Sequence, residues 1–179
     1  MTAPAVRFET LIEHHHHEIY SYVWRLLSSS GGPETALEAQ DLAQEVYLRA
    51  YRAFGRLRKD SNHRAWLYKI ATNCAYTALK QRQRKDQQCV ELLDGLDQIA
   101  ASQAHSPEQQ VIAGERRDRI RREIATLPPK QQAAVVMRHL QGLDYPEIAL
   151  ALDCSQDSAR ANVYQGLRRL RQSLTGELG

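Results

Sequence analysis

The chain has 179 residues and a formal net charge of only +3, long enough for one domain or two small ones and too weakly charged to be a generic polycation. Three cysteines, Cys74, Cys89 and Cys154, lie far apart without paired ligand spacing, which argues against a disulfide framework or a zinc ribbon and for a reducing cytosol. No signal-peptide pattern is present and no apolar run approaches the roughly 20 residues of a membrane span, so a soluble, cytoplasmic protein without membrane insertion is expected.

Residues 10–27 predict a first helix with Leu11, Ile12, Ile19, Val23, Leu26 and Leu27 as its apolar positions. Within it, His14 to His17 invite a metal reading, since His14 and His17 are three apart on a helix. No Cys or further His lies nearby in sequence to complete a tetrahedral set, so a polar helix face is the simpler reading and no metal site is assigned. The run Ser28-Ser29-Ser30-Gly31-Gly32-Pro33 breaks the helix. A second helix follows over 36–54, with Ala43, Val46, Tyr47, Ala50 and Phe54 inward and Asp41, Gln44, Glu45, Leu48, Arg49 and Arg52 outward. Glu45 and Arg49 form an i,i+4 pair, whereas Leu48 in the middle of that face marks a candidate docking surface.

A polar loop, residues 55–63, leads to a third helix over 64–85 with Leu67, Ile70, Ala71, Cys74 and Ala78 at core spacing. Another face carries Lys69, Asn73, Tyr76, Lys80 and Arg84. Basic groups interleaved with an aromatic and an amide suit a single-stranded nucleic acid. Trp66 reads as a core aromatic. Charge is blocked along the chain: residues 55–85 hold nine basic groups and one acid, residues 86–115 hold six acids and no Lys or Arg, and residues 116–138 hold seven basic groups and two acids. Such blocks imply separate surfaces joined by an acidic tether. The tether, residues 86–112, contains Gly95 and Pro107.

The most specific signal lies at 144–170, DYPEIALALDCSQDSARANVYQGLRRL. Asp144 and Glu147 have capping-box spacing, and Pro146 falls in the first turn where its missing N–H is harmless. Ile148, Ala149 and Leu152 form an apolar stripe. Asp153-Cys154-Ser155 makes a turn, and Ser155 can cap the next helix. There Ala159, Val163, Leu167 and Leu170 face inward, while Gln156, Arg160, Asn162, Gln165, Arg168 and Arg169 face out. Two short helices joined by a tight turn, the second with amides and guanidiniums outward, make a helix-turn-helix that reads duplex DNA. Gly166 interrupts this helix, at about 1 kcal/mol relative to Ala. There is no phosphate-cradling loop, nucleophile elbow or paired-carboxylate motif, so no catalytic residue and no cofactor is expected.

DLAQEVYLRAYRAF (41–54) with HRAWLYKIATNCAYTALKQRQRK (63–85) resembles conserved region two of sigma-70 family initiation factors, and residues 126–174 resemble region four. The short chain with no recognisable region between them is similar to the extracytoplasmic-function (ECF) subgroup. The resemblance implies an all-α protein of two small helical domains: region two over 8–85, a flexible acidic linker over 86–112, and region four over 113–175. It implies a non-enzymatic subunit whose partners are the bacterial RNA polymerase core (β′ and β subunits), promoter DNA and an anti-sigma factor. Residue by residue, polymerase docking carries over to Asp41, Gln44, Glu45, Leu48 and Arg49. Minus-ten recognition carries over to Arg58, Lys59, Asp60, Ser61, Asn62, His63, Arg64, Asn73, Tyr76 and Lys80. Minus-thirty-five recognition carries over to Ser155, Gln156, Arg160, Asn162, Gln165 and Arg168. The family often has Gly where Asp153 stands and a basic residue where Asn162 stands. Two other readings remain open on the residues alone: a stand-alone dimeric helix-turn-helix regulator, and a metal-sensing interaction protein using His14 to His17.

Overall fold

The computed structural model describes residues 7–28, 33–58, 60–92 and 108–176, and every regular element among them is helical. α1 (Phe8–Leu27) buries Phe8, Leu11, Ile19, Tyr22, Val23, Leu26 and Leu27, an i,i+3/i+4 pattern that leaves Ile12 at the rim. α2 (Pro33–Phe54) starts three residues earlier than the sequence suggests, because Pro33 opens the helix rather than ending the break. A first-turn proline has its φ preset and no donor to lose. Its buried stripe is Ala39, Ala43, Val46 and Ala50, small side chains that let α1 and α3 approach closely.

α3 (His63–Leu92) is longer than expected, since no Gly or Pro interrupts the chain before Gly95. Asn62 Oδ1 accepts a hydrogen bond from the Ala65 amide at 2.9 Å and so caps its start. Between α1 and α3, Tyr22 and Tyr68 meet edge to face with ring centroids 4.9 Å apart. Thr72 Oγ1 donates to the Tyr68 carbonyl at 2.7 Å and takes the Tyr22 hydroxyl at 2.8 Å, so this buried polar pair is satisfied. Of the expected linker, residues 86–92 continue α3 and residues 108–112 open α4; residues 93–107, including Asp94 and Asp97, lie outside the described residues.

α4 (Glu108–Ala125) and α5 (Pro129–Val135) meet at a corner made by Pro128 and Pro129, the latter at the first helical position. A π-helical turn (Val136–Leu140) extends α5, and Gly142 at φ +71° redirects the chain. α6 (Tyr145–Leu152) has the predicted capping box: the Glu147 amide donates to Asp144 Oδ1 at 2.8 Å, and the Asp144 amide donates to Glu147 Oε2 at 3.0 Å. Asp153 takes the left-handed conformation, φ 53° and ψ 54°, which ends α6. Ser155 Oγ accepts from the Ser158 amide at 3.1 Å and starts α7 (Gln156–Gly176).

α5, α6 and α7 pack on one another around Val135, Val136, Met137, Ile148, Ala159 and Val163. Gly166 has a role the sequence hid. A Cβ built there would stand 2.6 Å from Val135 Cγ2, so the glycine is what lets α7 lie against α5. The two helical units are not apart in space. α3 packs along α6 and α1 touches the π-helical turn, so the buried residues of both units form one connected apolar cluster.

Candidate polymerase and DNA interfaces

The outward face of α2 is open. Asp41, Gln44, Leu48 and Arg49 are exposed, Glu45 is half-exposed, and Arg49 Nε donates to Glu45 Oε1 at 2.7 Å. Leu48 keeps 52% of its surface in solvent, and Leu37 and Tyr51 keep 66% each. Positions 37, 41, 44, 48 and 51 recur every three to four residues, so the face is an apolar and acidic stripe about four turns long. Leu37 and Tyr51 escaped the sequence reading. The heptad-like spacing from Asp41 through Leu48 was the signal that could have found them.

The candidate minus-ten surface is split by the fold. In the loop before α3, Arg58 and Asp60 are exposed and pair at 3.5 Å, while the Ser61 amide donates to the Arg58 carbonyl at 3.1 Å in a turn. Lys59 lies outside the described residues. Asn62 is exposed, but its side-chain oxygen is committed to the helix cap. His63 stands with its ring 6.2 Å from Phe54, and Trp66 is half-buried against the same ring at 6.4 Å. Along α3, Asn73 and Lys80 are exposed, as expected of a nucleic-acid face. Tyr76 is not: it is half-buried and its hydroxyl donates to the Pro129 carbonyl at 2.7 Å, and burial pushes its phenol well above the ordinary tyrosine range. Tyr76, Leu79 and Lys80 form one wall of an open groove, and Leu127, Pro128 and Pro129 form the other.

Arg64 turns inward. Its Nη2 donates to Glu18 Oε2 at 2.8 Å and to the Gln141 carbonyl at 2.9 Å, and its Nη1 lies 3.4 Å from Glu147 Oε2. Burial acts to raise the Glu18 pKa, but hydrogen bonds from Arg64 and His15 outweigh it, so the carboxyl stays below its ordinary range. Lys69 also reaches across, with Nζ 3.1 Å from Asp153 Oδ1. The histidine run serves the same helix: His14 Nδ1 lies 2.6 Å from the Thr10 carbonyl, His15 contacts Glu18, and the His16 ring stacks near Tyr47 at 5.7 Å. Among the described residues, no cluster of three or more His, Cys, Asp or Glu is placed to hold a metal ion, and no helix is long and apolar enough to cross a membrane.

On α7, Gln156, Arg160, Gln165 and Arg168 are exposed. Ser155 is exposed too, though its hydroxyl is occupied as a cap. Asn162 is half-buried and its amide donates back to the Ser158 carbonyl at 2.9 Å, while Gln165 accepts from Gln131 Nε2 at 3.0 Å. Arg160 Nη1 lies 3.1 Å from Asp157 Oδ1, and its guanidinium sits 5.3 Å from the Tyr145 ring, which Arg138 also covers at 4.8 Å. Tyr164, 68% exposed, stands one turn from Arg160 and one turn from Arg168. An arginine, a phenol and a second arginine therefore line the outer face of the second helix. The tyrosine was missed because an aromatic beside Val163 reads as core.

A helix-turn-helix with a guanidinium-lined second helix, on one chain with a basic helix and an exposed apolar and acidic face, defines a DNA-binding transcription protein. The Sigma-70 region 2 family model matches residues 11–85, and the Sigma-70, region 4 model matches residues 117–170. RNA polymerase sigma-H factor of Pseudomonas aeruginosa is 30% identical over 173 residues, which cover 93% of this chain and 86% of that protein. ECF RNA polymerase sigma-E factor of Escherichia coli K12 is 31% identical over 162 residues, covering 88% and 81%. In fold the chain is similar to the sigma factor RpoE in complex with the anti-sigma factor NepR from Bartonella quintana, with a TM-score of 0.67 at 21% identity over 94% of this chain and 96% of that one. It is also similar to CnrH in complex with the cytosolic domain of CnrY, with a TM-score of 0.64 at 18% identity over 94% and 88%. The chain belongs to the sigma-70 family of RNA polymerase sigma factors, in its extracytoplasmic-function subgroup.

Proposed function

We propose that the chain docks on the bacterial RNA polymerase core through α2, opens and reads the minus-ten element through the loop at 58–64 and α3, and reads the minus-thirty-five element through α7. Its working units are residues 8–85 and 113–175, with 86–112 as the tether between them. It directs initiation at genes of a stress or envelope regulon and is held in check by an anti-sigma factor, as RpoE is seen bound to NepR. The observation that carries this reading is the open stripe Leu37, Asp41, Gln44, Leu48 and Tyr51 on the same chain as a helix-turn-helix. DNA binding alone gives no reason for a solvent-facing apolar stripe on the unit that lacks the recognition helix. A stand-alone dimeric regulator would likewise leave residues 11–85, matched by the region 2 model, without a role.

The recognition helix supports distinct roles for its arginines. We assign base reading to Arg160, which contacts Asp157 and Tyr145 near the start of α7, and phosphate contact to Arg168 two turns on. Arg160→Ala should lose about 1–3 kcal/mol of DNA binding and relax the preference at one base. Arg168→Ala should weaken binding to all sequences alike and make its salt dependence shallower. Selection of bound duplexes from a randomised pool, read by sequencing at two salt concentrations, separates the two. An identical uniform loss in both variants would make Arg160 a phosphate contact.

A further inference from the structure

We infer that Gln131, a buried side chain of α5, sets one base preference of α7 by fixing which end of the Gln165 amide faces the DNA. Gln131 is a positioning residue, acting through Gln165. The inference rests on the reading of α7 as the minus-thirty-five helix and gives a second helix, α5, a part in choosing the sequence.

Gln165 is exposed on the recognition helix, whereas Gln131 keeps only 8% of its surface in solvent. Gln131 Nε2 donates to Gln165 Oε1 at 3.0 Å, a side-chain hydrogen bond from α5 to α7. Gly166 makes the approach possible. A Cβ built on it would lie 3.4 Å from the Gln131 carbonyl oxygen and 3.5 Å from Gln131 Cβ, so the missing side chain lets α7 close on this residue. Gln131 Oε1 is itself buried and, among the described residues, has no hydrogen-bond partner. Turning the Gln131 amide over would let it accept from Gln165, but would put a buried NH2 group where that oxygen stands. An orphaned buried N–H is rarer than an orphaned oxygen, so Gln131 is the donor and Gln165 the acceptor.

A glutamine amide free to turn pairs with adenine through both ends, its oxygen taking the N6 amino group and its NH2 donating to N7. With Oε1 turned toward Gln131, the end of Gln165 left for a base edge is its NH2. In the major groove guanine offers O6 and N7 as acceptors and thymine offers O4, whereas adenine and cytosine present an amino group. The held Gln165 therefore selects guanine or thymine over adenine or cytosine at its base. Turning Gln165 to read adenine would break its bond with Gln131. The buried Gln131 amide, whose oxygen is already unpaired, would then have no partner on this side either.

The test uses the full chain on core polymerase to select promoter duplexes from a pool randomised across the minus-thirty-five element. Gln165→Ala identifies the base that Gln165 reads, as the position whose preference it flattens. There the wild type should favour guanine or thymine over adenine by about tenfold. Gln131→Met keeps an unbranched side chain of similar length without the donor, so Gln165 turns freely. The ratio of adenine to guanine at that base should then rise about fivefold to tenfold. Gln131→Glu keeps the shape and, when ionised, only accepts, so it should move the ratio in the same direction. The preference that Arg160→Ala removes, read at its own base in the same pool, should survive in both Gln131 variants, which a general loosening of the unit would not spare. An unchanged adenine-to-guanine ratio in both variants, or an equal flattening at the Arg160 base, would overturn the positioning role and leave Gln165 as a reader. If Gln165→Ala flattens no position, the minus-thirty-five reading fails at Gln165 itself and the inference falls with it.

Discussion

Glu45→Lys combined with Leu48→Ala abolishes most productive binding to core polymerase, lowering affinity by roughly 10–100-fold if this stripe is the docking hot spot. The expectation follows from placement. Leu48 is half in solvent and leaves no cavity when shortened, and Glu45 makes a single exposed pair with Arg49. Such a pair contributes at most about 1 kcal/mol to folding, so the helical circular dichroism and Tm should barely move. On a polymerase surface, by contrast, a desolvated leucine and a reversed charge both work against binding. Competition against a labelled sigma factor for core polymerase measures the effect. Affinity retained within about twofold, with a native spectrum, would assign docking to another face.

Gly166→Ala destabilises the helix-turn-helix unit, although helix propensity alone predicts the opposite. Alanine should gain about 1 kcal/mol over glycine inside a helix. Here the new methyl would meet Val135 Cγ2 at 2.6 Å, with the Gln131 carbonyl at 3.4 Å on the same side. Val135 is fully packed and branched at Cβ, so it has no free rotamer to retreat to. Overpacking of this kind costs about 1–3 kcal/mol and should outweigh the propensity gain. The net loss should lower Tm by about 2–5 °C in a thermal melt and weaken duplex binding, since α5 positions α7. A raised Tm would show that the α5–α7 contact relaxes freely.

The features legible in the sequence are those encoded within a few residues. The capping box of Asp144 and Glu147, the turn at Asp153, the cap at Ser155 and the inward stripe of α7 all depend on local spacing, and the structure has each of them. Element ends were less legible. Pro33 looks like a breaker until it is placed at a first helical position, and α3 runs on to Leu92 with no Gly or Pro to interrupt it before Gly95. Gly166 read as a weakness because its reason, Val135, is 31 residues away in sequence. The partners of several candidate residues were not legible. Arg64 and Glu147 are 83 positions apart, and no periodicity links them; only the packing of α3 on α6 does. Tyr76 shows the same limit, since its aromatic ring suits a base platform and its hydroxyl instead donates to the Pro129 carbonyl.

The most direct measurement is transcription in vitro by purified core polymerase on a library of genomic fragments, with and without the chain. Sigma-factor action predicts discrete start sites that appear only when the chain is present, share two upstream motifs about two helical turns apart, and vanish with the Glu45→Lys, Leu48→Ala variant. No chain-dependent start sites from core that initiates normally with another sigma factor, together with a two-fold symmetric footprint by the chain alone, would contradict it.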